Sequence, residues 1–529
     1  MSAVVVSRFL RGVNRPIICV IRDHQRLYCR VSRLPPRTLS RPRRAKPSGS
    51  SSQNGPSVPW AERQPSSQEE PDFYLSGTQV DGILRTNEQA VVNPEFDGRG
   101  PSAVLRFESN QLAANVPNED RRSAATCLQT KGMLFGVFDG HGGHACAQTV
   151  SERLLYYVAV ALMPQRVLEE VENAMESGRP VPPILKWHKH HSDYSYRKLT
   201  SLYVENLRVF WQELLQGEES GAGGSMGPSD ALVYAFRRLD ADISLEAQAA
   251  QASELMRSAA VQAAFAGSTA CVAHIGAEGV HVANAGDCRA VLGVQEEDGS
   301  WSAVPLSHDH NAENERELAR VRARHPKAEE GTVVQDGRLL GILMPLRAFG
   351  DVRFKWSQEL QQSVLENGCD QDSLNIFQYS PANYLTPPYL DVTPEVTYHR
   401  LRPKDRFLIL ASDGLWDALG SEEAVRLVAE HLTGLPMRAP VSASERQVSL
   451  GQMHTLLQRR RARAMPPPDT NAATHLIRHA IGANEYGELE QERLEAMLAL
   501  PDDLARMYRD DITVTIVYFN PNISKHSST

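Results

Sequence analysis

Three observations predict an α+β fold for this chain. Apolar strand candidates come in runs rather than alternating one for one with helices. The segment VANAG (282–286) reads as a turn between two strands, which favours antiparallel pairing. Stretches with helical periodicity lie outside these runs.

In chain order, the first strand is expected at Met133–Phe138 and a helix at Ala145–Leu162. Helices follow at Leu202–Leu215 and Ala231–Gln248, then strands at Thr269–Ile275, Val280–Ala283 and Ala290–Val294. A helix at Ala312–Arg324, a strand at Phe407–Ala411 and a helix at Leu489–Ala499 lead to a closing strand, Ile512–Tyr518. There Ile512, Val514, Ile516 and Tyr518 alternate with Thr513, Thr515 and Val517, the strand period of two.

The 529 residues carry a net charge of −8 that hides a strong asymmetry. Residues 1–46 hold twelve Arg and Lys against one acid, Asp23, which makes them +11 and leaves −19 for the remainder. On a helical wheel Arg8, Arg11, Arg15, Arg22 and Arg26 share one face, with Val6, Leu10, Val13, Ile17, Val20 and Ile21 roughly opposite. Arg-rich and acid-poor, residues 1–33 read as a mitochondrial presequence, kinked at Pro16. Residues 34–72 are rich in Pro, Ser, Arg and Gln and read as a disordered linker. Residues 73–520 are expected to form one domain with insertions near 177–230, 356–394 and 434–470, and 521–529 a flexible tail. The histidines His188, His190 and His191 and the basic run Arg459, Arg460, Arg461 and Arg463 fall in insertions and read as solvated.

Composition excludes several classes. No run approaches the roughly eighteen apolar residues of a membrane span. Seven cysteines without a CxxC pair argue against a disulfide framework or structural zinc. Once the basic start is removed, the acidic remainder would repel nucleic acid phosphates.

The chemistry is carried by acids at strand ends. Met133–Phe138 runs into Asp139-Gly140-His141; Phe407–Ala411 runs into Asp413, with Asp417 one helical turn on. Asp287 sits in the turn of HVANAGDCRAVL, Asp510 and Asp511 precede the last strand, and Glu119 and Asp120 precede another apolar stretch. Each alone is an ordinary turn. Together they describe buried carboxylates that must be neutralised, and hard divalent cations with oxygen ligands are the natural means. A zinc pair made by His141 and His144 fits less well, because oxygen donors dominate. A histidine beside the ions is placed to give a proton to a leaving group.

The motifs EDR (119–121), FDGHGG (138–143), GSTA (267–270), ANAGDCRAV (283–291), DHN (309–311), RAFGD (347–351), SDGLWD (412–417) and RDDIT (509–513) occur in the order of the metal-dependent protein phosphatases of type 2C, which the chain resembles. Further stretches, such as LRFESNQLAANVPNEDRRSAATC (105–127) and RFKWSQELQ (353–361), resemble the pyruvate dehydrogenase phosphatase branch of that family. The resemblance implies a central β-sandwich of two antiparallel sheets flanked by helices. It implies two ions, Mg²⁺ or Mn²⁺, with Asp139 bridging both, Asp413 and Asp510 on one, and Glu119 and the Gly140 carbonyl on the other. Asp287 and Asp417 are the implied ligands of a third, weaker ion, and Asp120 and Asp511 stand behind the ligands. A water activated between the cations attacks phosphorus in line, and His141 is the implied general acid.

One position departs from the pattern: Asn115 stands where many members carry a phosphate-gripping arginine, and Arg121 and Arg122 lie on the other side of the acidic pair. A neutral amide holds a phosphate dianion more weakly than a guanidinium. The resemblance further implies phosphoserine on the pyruvate dehydrogenase α subunit as substrate, in the mitochondrial matrix. Implied partners are the lipoyl domains of the acetyltransferase core and a regulatory subunit, with no nucleic acid and no membrane span. Two alternatives stand beside it: a type 2C phosphatase for another mitochondrial phosphoprotein, and an inactive adaptor that binds a phosphoprotein.

Overall fold

The structure, a computed structural model, describes residues 75–92, 102–193, 200–218, 226–249, 254–366, 381, 383–434, 469–484 and 487–521. The expected presequence, linker and arginine run, and tail residues 522–529, lie outside the described residues.

The main strands in chain order begin with β1 (Gln89–Val92), β2 (Val104–Leu112), β3 (Arg121–Cys127) and β4 (Met133–Phe138). Next come β5 (Leu185–Trp187), β6 (Ala270–Ile275), β7 (Gly279–Ala285) and β8 (Arg289–Gln295). The last are β9 (Trp301–Pro305), β10 (Glu395–Arg400), β11 (Asp405–Ala411) and β12 (Ile512–Phe519). They make two six-stranded sheets, in the spatial orders β1-β2-β12-β11-β8-β9 and β10-β7-β6-β4-β3-β5. Every ladder in both is antiparallel.

The longer helices are α1 (Gly77–Arg85), α2 (Ala145–Ala161), α3 (Gln165–Glu176), α4 (Thr200–Glu218), α5 (Pro228–Gln248) and α6 (Glu254–Phe265). They continue with α7 (Glu315–Ala323), α8 (Gln358–Glu366), α9 (Ser421–Thr433), α10 (Ala472–Gly482) and α11 (Gln491–Leu498). The sheets lie in one compact unit, Tyr74–Asn173 with Pro182–Thr529. The described residues of the other unit, Ala174–Val181, are the end of α3 and the turn after it.

The period of two explains the layering. On β11, Phe407, Ile409 and Ala411 join a core shared with Val425 and Val428 of α9 and Leu476 and Ile477 of α10. The alternate residues Leu408 and Leu410 meet Phe135 and Val137 of β4 between the sheets. β12 repeats this: Ile512, Val514, Ile516 and Tyr518 face the helices, while Val517 and Phe519 face the other sheet. A fully buried aliphatic or aromatic side chain stabilises by roughly 1.5–3 kcal/mol, so the strand is held from both faces. α2 and α5 cover the outer face of the second sheet, α2 against β3 and β4 and α5 against β7 and β10.

The sandwich matches the layering that the motifs imply. The turn at VANAG does not have its expected role. β7 continues through Ala285, and Gly286-Asp287-Cys288 hands the chain to β8 in the other sheet, so the two strands do not pair. Sequence periodicity also missed β2 and β3. In β2, Glu108, Ser109, Asn110 and Gln111 are all buried. Their partners are remote: Asn110 Nδ2 donates to the Leu84 carbonyl and to Thr474 Oγ1, both at 2.7 Å, and Glu108 Oε2 accepts from Ala472 N at 2.8 Å.

Among the described cysteines, Cys127, Cys146, Cys271 and Cys288 are buried and free. No helix of the described residues is long and apolar enough to cross a membrane.

Candidate metal centre

β4 is apolar up to Phe138 and then delivers Asp139 at its end. The next two residues, Gly140 and His141, pair with Ser268 and Gly267, which in turn pair with Phe349 and Gly350. Thr269 N donates to the Asp139 carbonyl at 2.8 Å, which pins the backbone of the acid. Gly140 has no room for a side chain: a Cβ would lie 2.5 Å from the Glu119 carbonyl oxygen. The EDR and FDGHGG segments are therefore pressed together by backbone contact.

Asp413 opens the short helix Asp413–Trp416 directly after β11, and Asp287 lies in the crossover from β7 to β8. Carboxylate oxygens of Asp139, Asp287 and Asp413 lie within 4.8 Å of one another, which makes these three the convergent group among the described residues. Glu119, Asp510 and Asp417 stand outside that radius but within electrostatic reach. Asp510 pushes up the pKa of both Asp139 and Asp413, and Glu119 acts on His141. Asp417 is exposed and keeps company with Arg289, Asp309 and Glu313. Of the two acids expected on the third ion, Asp287 joins the central group, and Asp417, beside the Arg289–Asp309 pair (2.6 Å apart), also pushes up Asp413 and Asp510.

Two further acids shape the site from behind. Asp120 is 1% exposed; its Oδ2 accepts from Ser412 Oγ at 2.6 Å, and its Oδ1 is buried without a partner. Asp511 Oδ1 accepts from the backbone N of Ala114 and Asn115, and its Oδ2 accepts from Glu119 N at 2.8 Å and Asn115 Nδ2 at 2.9 Å. Asp511 therefore fixes the loop that carries Glu119, and the Asn115 amide is committed to it.

Burial, reinforced by mutual repulsion, drives these acids toward the neutral form. Burial and then the Asp413 charge push Asp287 up to about 8. Burial and then Asp510 push Asp413 up to about 6. Asp139 is raised well above the usual carboxylate range by burial and by Asp413, Asp120, Asp287 and Asp510. Asp413 Oδ1, like Asp120 Oδ1, is buried without a hydrogen-bond partner. Crowded anionic oxygens and unpartnered lone pairs, with no soft donor among them, fit a hard divalent cation.

These shifts give a signed expectation for the cation-free protein. A carboxyl group with a raised folded pKa binds its proton more tightly folded than unfolded, so stability falls as pH rises. The window runs upward from the ordinary value of 3.8 through about 6 for Asp413 to about 8 for Asp287. Thermal melting in a chelator should therefore show the protein gaining stability from pH 8 to pH 6. Excess Mn²⁺ should flatten that dependence, and a flat profile in the chelator would contradict the reading.

His141 is turned toward a different partner. Its Nε2 lies 2.5 Å from Oδ2 of Asp351, a 2% exposed acid held at a positive φ of 49°. Burial disfavours the imidazolium, but the charge and hydrogen bond of Asp351 prevail and the His141 pKa is raised. Gly267 makes room for this pair, since a Cβ there would lie 2.0 Å from His141 Nε2 and 2.1 Å from Asp351 Oδ2. Sequence reasoning singled out RAFGD without giving Asp351 a role. The available signal was an acid directly after a glycine, at the end of a short extended segment.

The remaining candidates are quieter. His144 precedes α2 with its pKa lowered by burial and by Arg121, and neither it nor His141 is among the three convergent ligands. Burial pushes the thiols of Cys146 and Cys288 far up, so neither is a ready thiolate nucleophile. His188 is half-buried against Thr126 Oγ1 at 2.9 Å and the Phe107 ring rather than solvated, because β5 carries it onto the sheet.

Residues 207–452 match the family model described as "Protein phosphatase 2C". The chain is 53% identical to human "[Pyruvate dehydrogenase [acetyl-transferring]]-phosphatase 2, mitochondrial", covering 97% of both chains. It is 56% identical to the rat "[Pyruvate dehydrogenase [acetyl-transferring]]-phosphatase 1, mitochondrial" over 85% of this chain and 84% of that one. A solved serine-threonine phosphatase 2C from Toxoplasma gondii matches at a TM-score of 0.39 and 17% identity, over 82% of this chain and 99% of the other.

Proposed function

The chain belongs to the pyruvate dehydrogenase phosphatases, a branch of the protein phosphatase 2C family, and from that premise we propose that its acidic centre hydrolyses phosphoserine on the pyruvate dehydrogenase α subunit. It is a metal-dependent protein serine/threonine phosphatase, and its work reactivates the pyruvate dehydrogenase complex. The observation that carries the chemistry is the convergence of Asp139, Asp287 and Asp413 at the ends of strands from both sheets.

In this reading Asp139, Asp413 and Asp510 would hold one ion, and Asp139, Glu119 and the Gly140 carbonyl a second. Asp287, with Asp417, would hold a third more weakly. Bound Mg²⁺ or Mn²⁺ supplies acidification of a water and neutralisation of charge on the phosphoryl oxygens. The chain's own residues do the rest. Asp120 Oδ1, buried and unpartnered, would accept a hydrogen bond from a water in the cluster. His141, whose protonated form Asp351 favours, donates a proton to the departing serine oxygen. Asp351 orients the ring, and Asp511 keeps Glu119 aimed inward.

The relatives are named as mitochondrial, and we place this chain in the matrix, where its substrate complex would be met. Docking to lipoyl domains of the acetyltransferase core and pairing with a regulatory subunit belong to the same proposal. The test is release of phosphate from the phosphorylated α subunit and from phosphorylated branched-chain ketoacid dehydrogenase, each with Mg²⁺ or Mn²⁺. The first should exceed the second in kcat/KM by at least about tenfold, a difference of about 1.4 kcal/mol in transition-state binding. Equal rates would favour a different mitochondrial substrate, and no metal-dependent release from either would leave only an adaptor.

A further inference from the structure

A phosphate dianion entering a cluster of carboxylates needs cationic partners from the protein as well as from bound ions. Most of the nearby candidates are already engaged. Arg121 gives Nε to Gln148 Oε1 at 2.5 Å and Nη1 to the carbonyls of Asn118 and Asp120 at 2.6 Å each. Arg122 is 6% exposed and donates to Ser109 Oγ and the Asn87 carbonyl. Asn115 gives its amide to Asp511. Arg353 commits Nη2 to the Phe265 carbonyl at 3.0 Å; Arg509 is not engaged, but its Nε and Nη1 are buried away from solvent without a hydrogen-bond partner.

Arg506 differs in exposure and in reach. Its side chain is 54% exposed, and its ion pair runs from Nη2 to Asp510 Oδ2 at 2.7 Å. Asp510 in turn packs against the backbone next to Asp413, since a Cβ on Gly414 would lie 3.2 Å from Asp510 Cβ, so Arg506 stands at the rim of the acidic centre. It is the C-cap residue of the short helix Asp502–Ala505, four residues before Asp510. We infer that Arg506 grips the phosphoryl oxygens of the substrate, the task that the family's arginine performs at the position of Asn115. This rests on the phosphatase reading above. Arg506 loses its hold on Asp510 when that carboxylate is taken by a cation, and the guanidinium is then free to turn to the phosphate.

The test uses the Mn²⁺-loaded full chain and the variants Arg506→Gln and Arg506→Lys. Inhibition by inorganic phosphate, KM and kcat on a phosphoserine peptide, and Mn²⁺ affinity by calorimetry are measured together. Arg506→Gln should weaken phosphate inhibition and raise KM about ten- to a hundredfold, the worth of a charge-assisted contact. kcat should change by less than about threefold, because the contact is made in ground and transition states alike. Arg506→Lys should fall between, since an ammonium keeps the charge but not the fork. Mn²⁺ affinity should be unchanged or tighter, because a competing cation has been removed. Phosphate inhibition within about twofold of wild type, or a loss that tracks weaker Mn²⁺ binding, would overturn the assignment. Absence of metal-dependent phosphate release by the wild-type chain would instead overturn the phosphatase reading itself.

Discussion

Asp139→Asn should abolish phosphatase activity while making the cation-free protein more stable. The two effects have one cause. Asp139 is raised well above its ordinary pKa by burial and by four neighbouring acids, so its charge is a burden until a cation arrives. The isosteric amide removes that burden, and relief of even one pKa unit is worth about 1.4 kcal/mol, or about 1–3 °C in melting temperature for a domain of this size. The same change deletes the acid common to both proposed ion sites. kcat should fall by at least about 10³-fold, since several kcal/mol of charge stabilisation go with the ions. The upward shift in melting temperature caused by Mn²⁺ in the wild type should disappear in the variant. A variant that keeps both the Mn²⁺ shift and near-wild-type activity would remove Asp139 from the centre.

His141→Ala should separate substrates by their leaving groups. A serine alkoxide departs poorly unless protonated, and an aryl oxide departs without help. Loss of a positioned general acid costs about 10²–10⁴-fold, so phosphoserine hydrolysis should fall by that amount and aryl phosphate hydrolysis by less than about tenfold. The pH profile gives a second readout. Because Asp351 raises the His141 pKa against burial, the acid is present below that pKa and lost as pH rises through it. The alkaline fall in rate on phosphoserine should therefore vanish in His141→Ala and move to lower pH in Asp351→Asn. Equal slowing of both substrates would take His141 out of the acid role.

What could be read from the sequence follows a physical divide. Strands with an apolar run or a clear period of two announce themselves: Met133–Phe138 is expected with its observed ends, and β12 extends the expected Ile512–Tyr518 by one residue. Helices bounded by local chemistry came close as well, α5 beginning at Pro228, three residues before the expected start. β2 was invisible because Glu108, Ser109, Asn110 and Gln111 look like a surface stretch. α10 and β12, far along the chain, supply several of the partners that make their burial tolerable. The crossover at Gly286–Cys288 was misjudged for the same reason, since a tight turn does not say whether the chain returns to its own sheet. In the site, the acids at strand ends are legible as a class because each borders an apolar run. The pairing of His141 with Asp351, 210 positions later, was not, because no local pattern encodes it. The engagement of Asn115 by Asp511 was hidden likewise.

The acids come from both layers of the sandwich. Asp139 follows a strand of one sheet, Asp413 and Asp510 flank strands of the other, and Asp287 sits on the bridge between them. An ion gripped there acts as a rivet through the open edge, and its affinity is tied to the gap between the layers. Trimming Leu410 or Phe135, deep in the filling and one strand segment behind Asp413 and Asp139, should thus alter how tightly Mn²⁺ is held, as a clasp loosens when the hinge behind it wears.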